Sequence, residues 1–283
     1  MEREVIIRVE DIHYFYPNGV HALRGVTLNI HKGEFIALLG QNGSGKTTLA
    51  KHLNGLLVPH KGRVLVKGID TRKVSVAKIA KIVGYVFQNP EHQIFAKTIF
   101  DEIAFGLRNI GVPEDEIEKR VIEALKIVDL NKPLDMNPHF LSTGEKHRLA
   151  IASVLAMKPE VIILDEPTTG LDYKRSRQLM ELIKRLHEQG HTIILITHDM
   201  AFAAEYSTRT IILHEGKVIA DGPTKEVFTQ LDLLAKSSLK PPQITLLAIE
   251  LYKRGYPIPK EIMSVKEMVN EFLKIYMLAK GLS

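Results

Sequence analysis

The stretch GQNGSGKT, residues 40–47, constrains this chain more than any other. It matches G-x-x-x-x-G-K-[ST] and stands between a short apolar run, FIALLG (35–40), and a segment with helical spacing, GSGKTTLAKHLNGLL (43–57). In that setting the backbone N–H groups of Gly40, Gln41, Asn42, Gly43, Ser44 and Gly45 turn inward and cradle a phosphate, backed by a helix N-terminus. Lys46 then reaches the β- and γ-phosphates of a nucleotide, and Thr47 holds Mg2+. Thr48 follows in the same helical turn. A lysine falling by chance in a glycine-rich turn would not come with both the strand and the helix.

A loop of this kind needs a parallel sheet to carry it. VIILDE (161–166) and TIILITHD (192–199) are continuous apolar runs, as strands buried on both faces are. SRQLMELIKRLHEQG (176–190) between them is amphipathic, which makes a strand–helix–strand unit. The fold class is therefore α/β. The first thirty residues read as antiparallel strands, VIIRVEDIHYFY (5–16) and VTLNI (26–30), turning at Pro17-Asn18-Gly19. RVLVKG (63–68) and IVGYVFQ (82–88) read as further strands, and TIILHEGKVIADG (210–222) as a hairpin turning at Glu215-Gly216. Residues from about 99 to 158 turn helical. The pattern loosens at 229–243, and two more helical stretches follow at about 243–254 and 264–280. In the last of these, Val265, Met268, Val269, Phe272, Ile275 and Tyr276 form one apolar stripe. The expected division is a domain over 1–228, with a helical subdomain at about 90–158, and a helical extension over 229–283.

Several strand ends carry groups suited to the loop's ligand. Asp165 and Glu166 end one buried strand, where ligands of open α/β sheets bind. Asp165 would hold Mg2+, directly or through water, and Glu166 would orient or deprotonate an attacking water. Gln88 ends the strand 82–88; it is either a reach toward Mg2+ or the water, or a plain polar strand end. His198 follows 192–197; it is either a γ-phosphate contact or a structural histidine. Tyr16, at the end of the first strand, either stacks on a base or packs in the sheet.

LSTGEKHRLAIASVL (141–155) poses a separate question. Ser142 with Glu145 three residues on is a capping box. A cap alone does not call for Gly144 in the first turn, where glycine costs helix stability relative to alanine. A helix N-terminus is also an anion site, and Gly144 lets backbone approach a phosphate closely. The glycine loop already serves one nucleotide in cis, so a second phosphate-facing N-terminus makes most sense if it serves a second copy.

With these motifs in order, the chain resembles an ATP-binding cassette (ABC) ATPase over about residues 4–228. Tyr16, the Walker A loop 40–47, the Q-loop Gln88, the signature 141–145, Walker B 161–166, the D-loop 170–172 with Asp172, and the switch His198 all appear in family order. The resemblance implies a phosphate-loop NTPase core with an N-terminal antiparallel β subdomain and a helical signature subdomain. It implies ATP and Mg2+ as ligands, with Thr47, Gln88 and Asp165 toward the metal and Glu166, His198 and Gln88 in hydrolysis. Ser142, Thr143, Gly144 and Glu145 would close over ATP held by a second ATPase subunit, a copy or a paralogue. Against the usual LSGGQ, Thr143 replaces a glycine and Glu145 a glutamine. Glu145 puts a carboxylate near phosphate, which is unhelpful unless it turns back into the capping box. More loosely, FQNPEHQIFAKTIFDEIAFG (87–106) and PPQITLLAIELYKRGYPIP (241–259) resemble the energy-coupling-factor importers for cobalt, nickel and vitamins. That resemblance implies a transmembrane coupling subunit, a substrate-binding membrane subunit, and a tail that helps join the two ATPases.

Composition limits the alternatives. With no cysteine, disulfides, thiolate metal sites and thiol catalysis are excluded. The longest apolar runs fall short of the about 20 residues a membrane span needs, and the start lacks a signal-peptide core, so the expected place is the cytoplasm, peripheral on the inner face of the membrane. A net charge of +5 without a dense basic run does not argue for nucleic acid. A soluble cassette ATPase acting on DNA or the ribosome is the alternative. Repair-type members insert a long coiled coil before the signature, and translation-type members carry two cassettes; this chain has neither.

Overall fold

A computed structural model describes residues 4–280; residues 1–3 and 281–283, at the outer ends of the two expected domains, lie outside it. In chain order come β1 (Val5–Phe15), β2 (His21–His31), β3 (Phe35–Leu39), α1 (Lys46–Leu53), β4 (Lys61–Val66), β5 (Ile69–Asp70), α2 (Val76–Ala80) and β6 (Val83–Val86). The helices α3 (Ile99–Asn109), α4 (Glu114–Ile127) and α5 (Thr143–Leu155) follow, then β7 (Val161–Asp165), α6 (Tyr173–Glu188), β8 (Thr192–Ile196) and α7 (Met200–Tyr206). The chain closes with β9 (Arg209–His214), β10 (Lys217–Pro223), α8 (Thr224–Thr229), α9 (Leu231–Lys236), α10 (Gln243–Lys253) and α11 (Val265–Ala279).

Two sheets organise these elements. One is antiparallel, in the order β2-β1-β4-β5; the other has six strands in the order β10-β9-β3-β8-β7-β6. In the second sheet β9, β3, β8, β7 and β6 run parallel and only β10 is antiparallel. Because the strands run one way, the phosphate loop after β3, Asp165 at the end of β7, and the residues following β6 and β8 all emerge on one edge.

The apolar runs of β3, β7 and β8 are fully buried because each face of the sheet has its own core. Ile162, Leu164, Ile193 and Leu195 face a core shared with α3–α6. Their neighbours Ile163, Ile194 and Ile196 face the antiparallel sheet and α1. Each such side chain contributes about 1.5–3 kcal/mol of burial, so the sheet that places the site is held firmly from both faces.

Several boundaries differ from the sequence expectation. β2 begins at His21 rather than at Val26, because β1 pairs with it along almost its whole length. The helix after the phosphate loop stops at Leu53. β6 ends at Val86, its last residue paired with β7, although β7 itself runs on to Asp165, so Gln88 lies two residues beyond the strand. The helix expected from 176 starts at Tyr173, capped by the Asp172 carboxylate, which accepts from the Arg175 N–H at 2.8 Å. Four short helices, α2, α7, α8 and α9, carry no strong periodicity over their five to seven residues and were not expected. The apolar stripe of α11 also divides. Met268 is buried and Ile275 packs with α10, while Val265, Val269, Phe272 and Tyr276, along the flank of the same stripe, are exposed.

Candidate nucleotide site

The loop 40–45 has the shape its glycines permit. Gly40 has φ 148°, and a Cβ there would stand 2.3 Å from the Leu213 carbonyl oxygen; at Gly45, φ 103°, it would stand 2.7 Å from that of Ala22. Neither position accepts a side chain. Lys46 Nζ donates to the carbonyls of Gly40 at 2.7 Å and Gln41 at 2.9 Å, so the lysine spans the loop it follows. Ser44 closes the turn from within, its N–H donating to the Gln41 carbonyl at 3.1 Å. Burial lowers the pKa of Lys46, while Glu166 and Asp165 push it back up. An ammonium held there is poorly hydrated, which strengthens its attraction for phosphate.

Asp165 ends β7 with its Oδ2 accepting from Thr47 Oγ1 at 3.0 Å and from the Tyr85 hydroxyl at 2.7 Å. Its Oδ1 is buried and has no partner. A buried carboxylate oxygen without a donor suits a hard cation with oxygen ligands. Among the described residues no group of three or more His, Asp or Glu forms a self-sufficient metal cage. A shared hydroxyl and carboxylate fit Mg2+, which keeps waters and substrate phosphates as its other ligands.

Glu166 has φ +49°, in the left-handed region that a non-glycine residue occupies at a cost of about 1–3 kcal/mol. Its N–H donates to the Ile196 carbonyl at 2.9 Å, which anchors the turn. The turn carries its carboxylate to His198, with Oε2 2.7 Å from Nδ1. The His198 side chain is 71% exposed, so the imidazole is not a packed structural histidine. Tyr16 follows β1, is half-buried, and its hydroxyl shares a hydrogen bond of 2.9 Å with Thr48 Oγ1. It stands at the cleft rather than inside the sheet.

These groups line one cleft of about 530 Å3. It contains Tyr16, Asn42, Gly43, Gly45, Lys46, Thr47, Thr48, Gln88, Asp165, Glu166 and His198, closed by Val20, Ala22 and Ile196. Residues far apart in sequence thus meet at the carboxyl edge of the parallel strands. The signature does not join them. Ser142, Thr143, Gly144 and Glu145 form the start of α5, outside the cleft, and Asp172, which caps α6, lies outside it as well. A Cβ on Gly144 would meet only Arg175 Cδ at 3.6 Å and Leu171 Cδ2 at 3.9 Å, which is ordinary contact. Among the described residues nothing crowds that position enough to require glycine.

With the fold and site in hand, the comparisons with known proteins are direct. The profile of the ABC transporter family matches residues 23–169. This chain belongs to the ABC transporter family. An energy-coupling factor transporter ATP-binding protein, EcfA, of Methanocaldococcus jannaschii is 43% identical over 275 residues, covering 95% of this chain and 98% of that protein. The chain spans about half the length of other curated relatives: a putative ABC transporter ATP-binding protein of Caldanaerobacter subterraneus subsp. tengcongensis is 52% identical over 267 residues, 94% of this chain but 46% of its own. Among solved structures, cbiO1 from Clostridium perfringens, described as part of the ABC transporter complex cbiONQ, superposes with a TM-score of 0.73 at 40% identity, covering 86% of this chain and 98% of that one. The cassette MJ0796, dimeric and bound to ADP and Pi, has a TM-score of 0.69 at 31% identity over 77% of this chain and 98% of its own.

In this member of the ABC transporter family the cleft is also braced by residues that its motifs did not point to. Tyr85 holds Asp165 from the neighbouring strand; burial first, then Asp165, raises the pKa of its phenol and keeps it a donor. The signal was there, a polar aromatic inside an apolar strand, but such residues also pack without partners. Gln93 joins the segment after β6 to the signature helix: its Oε1 accepts from the Phe87 N–H at 3.2 Å, and its Nε2 donates to the Ala150 carbonyl at 2.9 Å and to Ser153 Oγ at 3.0 Å. Lys146 pairs with Glu91 beside it. Nothing in the spacing of residues 88–93 and 146–153 announces these cross-links.

Proposed function

We propose that this chain is the ATP-binding and ATP-hydrolysing subunit of a membrane importer of the energy-coupling-factor type, and that it works as one of a pair of ATPases. One observation carries the pairing: the phosphate loop, Walker B carboxylates and switch histidine converge in one cleft, while a glycine-bearing helix N-terminus lies outside it. Residues 40–48 would cradle the triphosphate, Tyr16 would stack on the base, and Thr47, Asp165 and Gln88 would hold Mg2+. When bound, Mg2+ neutralises the charge that develops on the transferred phosphoryl group. Glu166 orients and deprotonates the water, and His198 holds the Glu166 carboxylate in place. Ser142, Thr143, Gly144 and Glu145, with Asp172 beside them, would meet the nucleotide of the other subunit.

The importer reading draws support from relatives named for energy-coupling factor transport over nearly their full length. No helix among the described residues is long and apolar enough to cross a membrane. In this reading the transport path would belong to a coupling subunit and a substrate-binding subunit, with this chain docked at the inner face and no nucleic acid involved. Tagged protein recovered from detergent-solubilised membranes of its own cell should carry integral membrane proteins in fixed ratio, and their presence should raise its ATPase rate. Recovery with ribosomes or DNA instead would favour the soluble alternative.

The exposed side of α11 is the proposed contact between the paired ATPases. Val269 and Phe272 are 48% and 46% exposed, so replacing both by glutamate leaves the chain's own core intact. The double substitution should weaken pairing about ten-fold or more, as the loss of interface anchors does, when measured by sedimentation at matched concentrations. Pairing as tight as in the parent would return that face to a plain surface.

A further inference from the structure

The first turn of α5 contains a charge that its proposed role does not want. A helix N-terminus attracts anions, and a carboxylate in its first turn occupies that field and repels a second anion. Glu145 is such a carboxylate. It does turn back on the helix start: Oε2 accepts from the Ser142 N–H at 2.9 Å and from the Ser142 hydroxyl at 2.8 Å. The hydroxyl proton best placed to meet a phosphate is therefore committed to Glu145. On its far side, Oε1 lies 2.9 Å from Lys132 Nζ, in the segment between α4 and α5. Lys132 is the only cation that the described residues pair with Glu145. Lys146 is taken by Glu91, Arg148 by Asp129 and the Val128 carbonyl, and Arg175 by Asp172.

We propose that Lys132 is the positioning residue that makes this signature usable: it holds and neutralises Glu145, so that the Ser142 hydroxyl can pass from the carboxylate to a γ-phosphate oxygen of the other subunit's ATP. The inference rests on the reading that the signature acts in trans. Lys132 acts through Glu145 and touches no nucleotide itself. No bond other than hydrogen bonds is made or broken: Ser142 Oγ–H exchanges one acceptor for another, while Glu145 keeps the Ser142 N–H and Lys132. Glu145 stays ionised throughout the neutral range, its pKa drawn down to about 2 by Lys132 first and then by Ser142. Its charge must therefore be offset rather than titrated away. Lys132 also explains how a signature reading Ser-Thr-Gly-Glu can stand where glutamine is usual: a carboxylate with a fixed cation presents little net charge to phosphate.

The test uses the full chain with Glu166→Gln, which retains the closed pair, and follows pair formation against MgATP concentration by sedimentation. Lys132→Met should raise the concentration for half-maximal pairing about ten-fold, the effect of one uncompensated charge several ångströms from phosphate. The shift should shrink as salt rises from about 0.05 to 0.5 M. Nucleotide binding by the single chain should not move, which also verifies the fold. Lys132→Arg should pair as the parent does. Adding Glu145→Gln to Lys132→Met should restore pairing, because no bare charge remains. Parental pairing by Lys132→Met, or a defect that Glu145→Gln does not relieve, overturns the proposal. Ser142→Arg in the same assay separates the two readings: if it pairs normally with MgATP, the trans signature itself is wrong, whatever Lys132 does.

Discussion

Glu166→Gln should bind MgATP as tightly as the parent chain and lose hydrolysis by about 10²–10⁴-fold, the range expected for removing a general base. The two halves of that result come from different parts of the cleft. In the proposed site affinity would come from the loop 40–47, from Lys46 and from the Thr47–Asp165 pair at 3.0 Å, none of which the substitution touches. Turnover depends on a carboxylate that can take a proton from water, and a glutamine of the same size cannot. The amide still reaches the His198 ring 2.7 Å away, so the shape of the edge is kept. A protein that binds but does not hydrolyse should collect as the ATP-bound pair, visible by sedimentation as a species that persists with ATP and disperses with ADP. Near-parental turnover in single-turnover assays would remove Glu166 from the chemistry and leave Gln88 or His198 to account for it.

Much of this site can be read from the chain because each motif sits at the end of a strongly patterned strand. FIALL, VIIL and IILI are apolar throughout, as parallel strands buried on both faces are, and in such a sheet the residues after them emerge together. The same logic failed at β6. Its pairing ends at Val86 with the partner strand, and the Phe87 N–H turns to Gln93 rather than to a neighbouring strand. Strand-end placement of Gln88 was therefore two residues off, although Gln88 still lines the cleft. Local pattern does not say where strand pairing stops.

Side-chain partners were the least legible part. Tyr85, Gln93 and Lys132 each act across gaps of many residues, on Asp165, on α5 and on Glu145. A sequence carries their polarity but not their direction. Gly144 shows the opposite case. Its position in a first turn already hinted at something beyond a cap, and the structure sharpens the point, since a Cβ there would meet nothing closer than 3.6 Å within the chain. The stripe on α11 was legible as apolar but not as half-covered: 268 and 275 meet the α10 cluster, while 265, 269, 272 and 276 along its flank stay exposed.

The most direct test of the account is a mixture of two damaged chains. Lys46→Ala cripples the cradle and leaves the signature whole; Ser142→Arg blocks the signature with bulk and leaves the cradle whole. Alone, each pairs with itself and has damage in both composite sites. Mixed, with subunit exchange verified by two labels, one site of the mixed pair collects both lesions and the other collects both intact elements. The account predicts that mixing two nearly inactive proteins restores MgATP-dependent closure, at one nucleotide per mixed pair, with hydrolysis measured afterwards. If the chain pairs only with a paralogue, the two substitutions go on separate partners. The contradicting result is a labelled mixed pair that holds no nucleotide between its subunits; Ser142 and Gly144 would then be the start of a helix and nothing more.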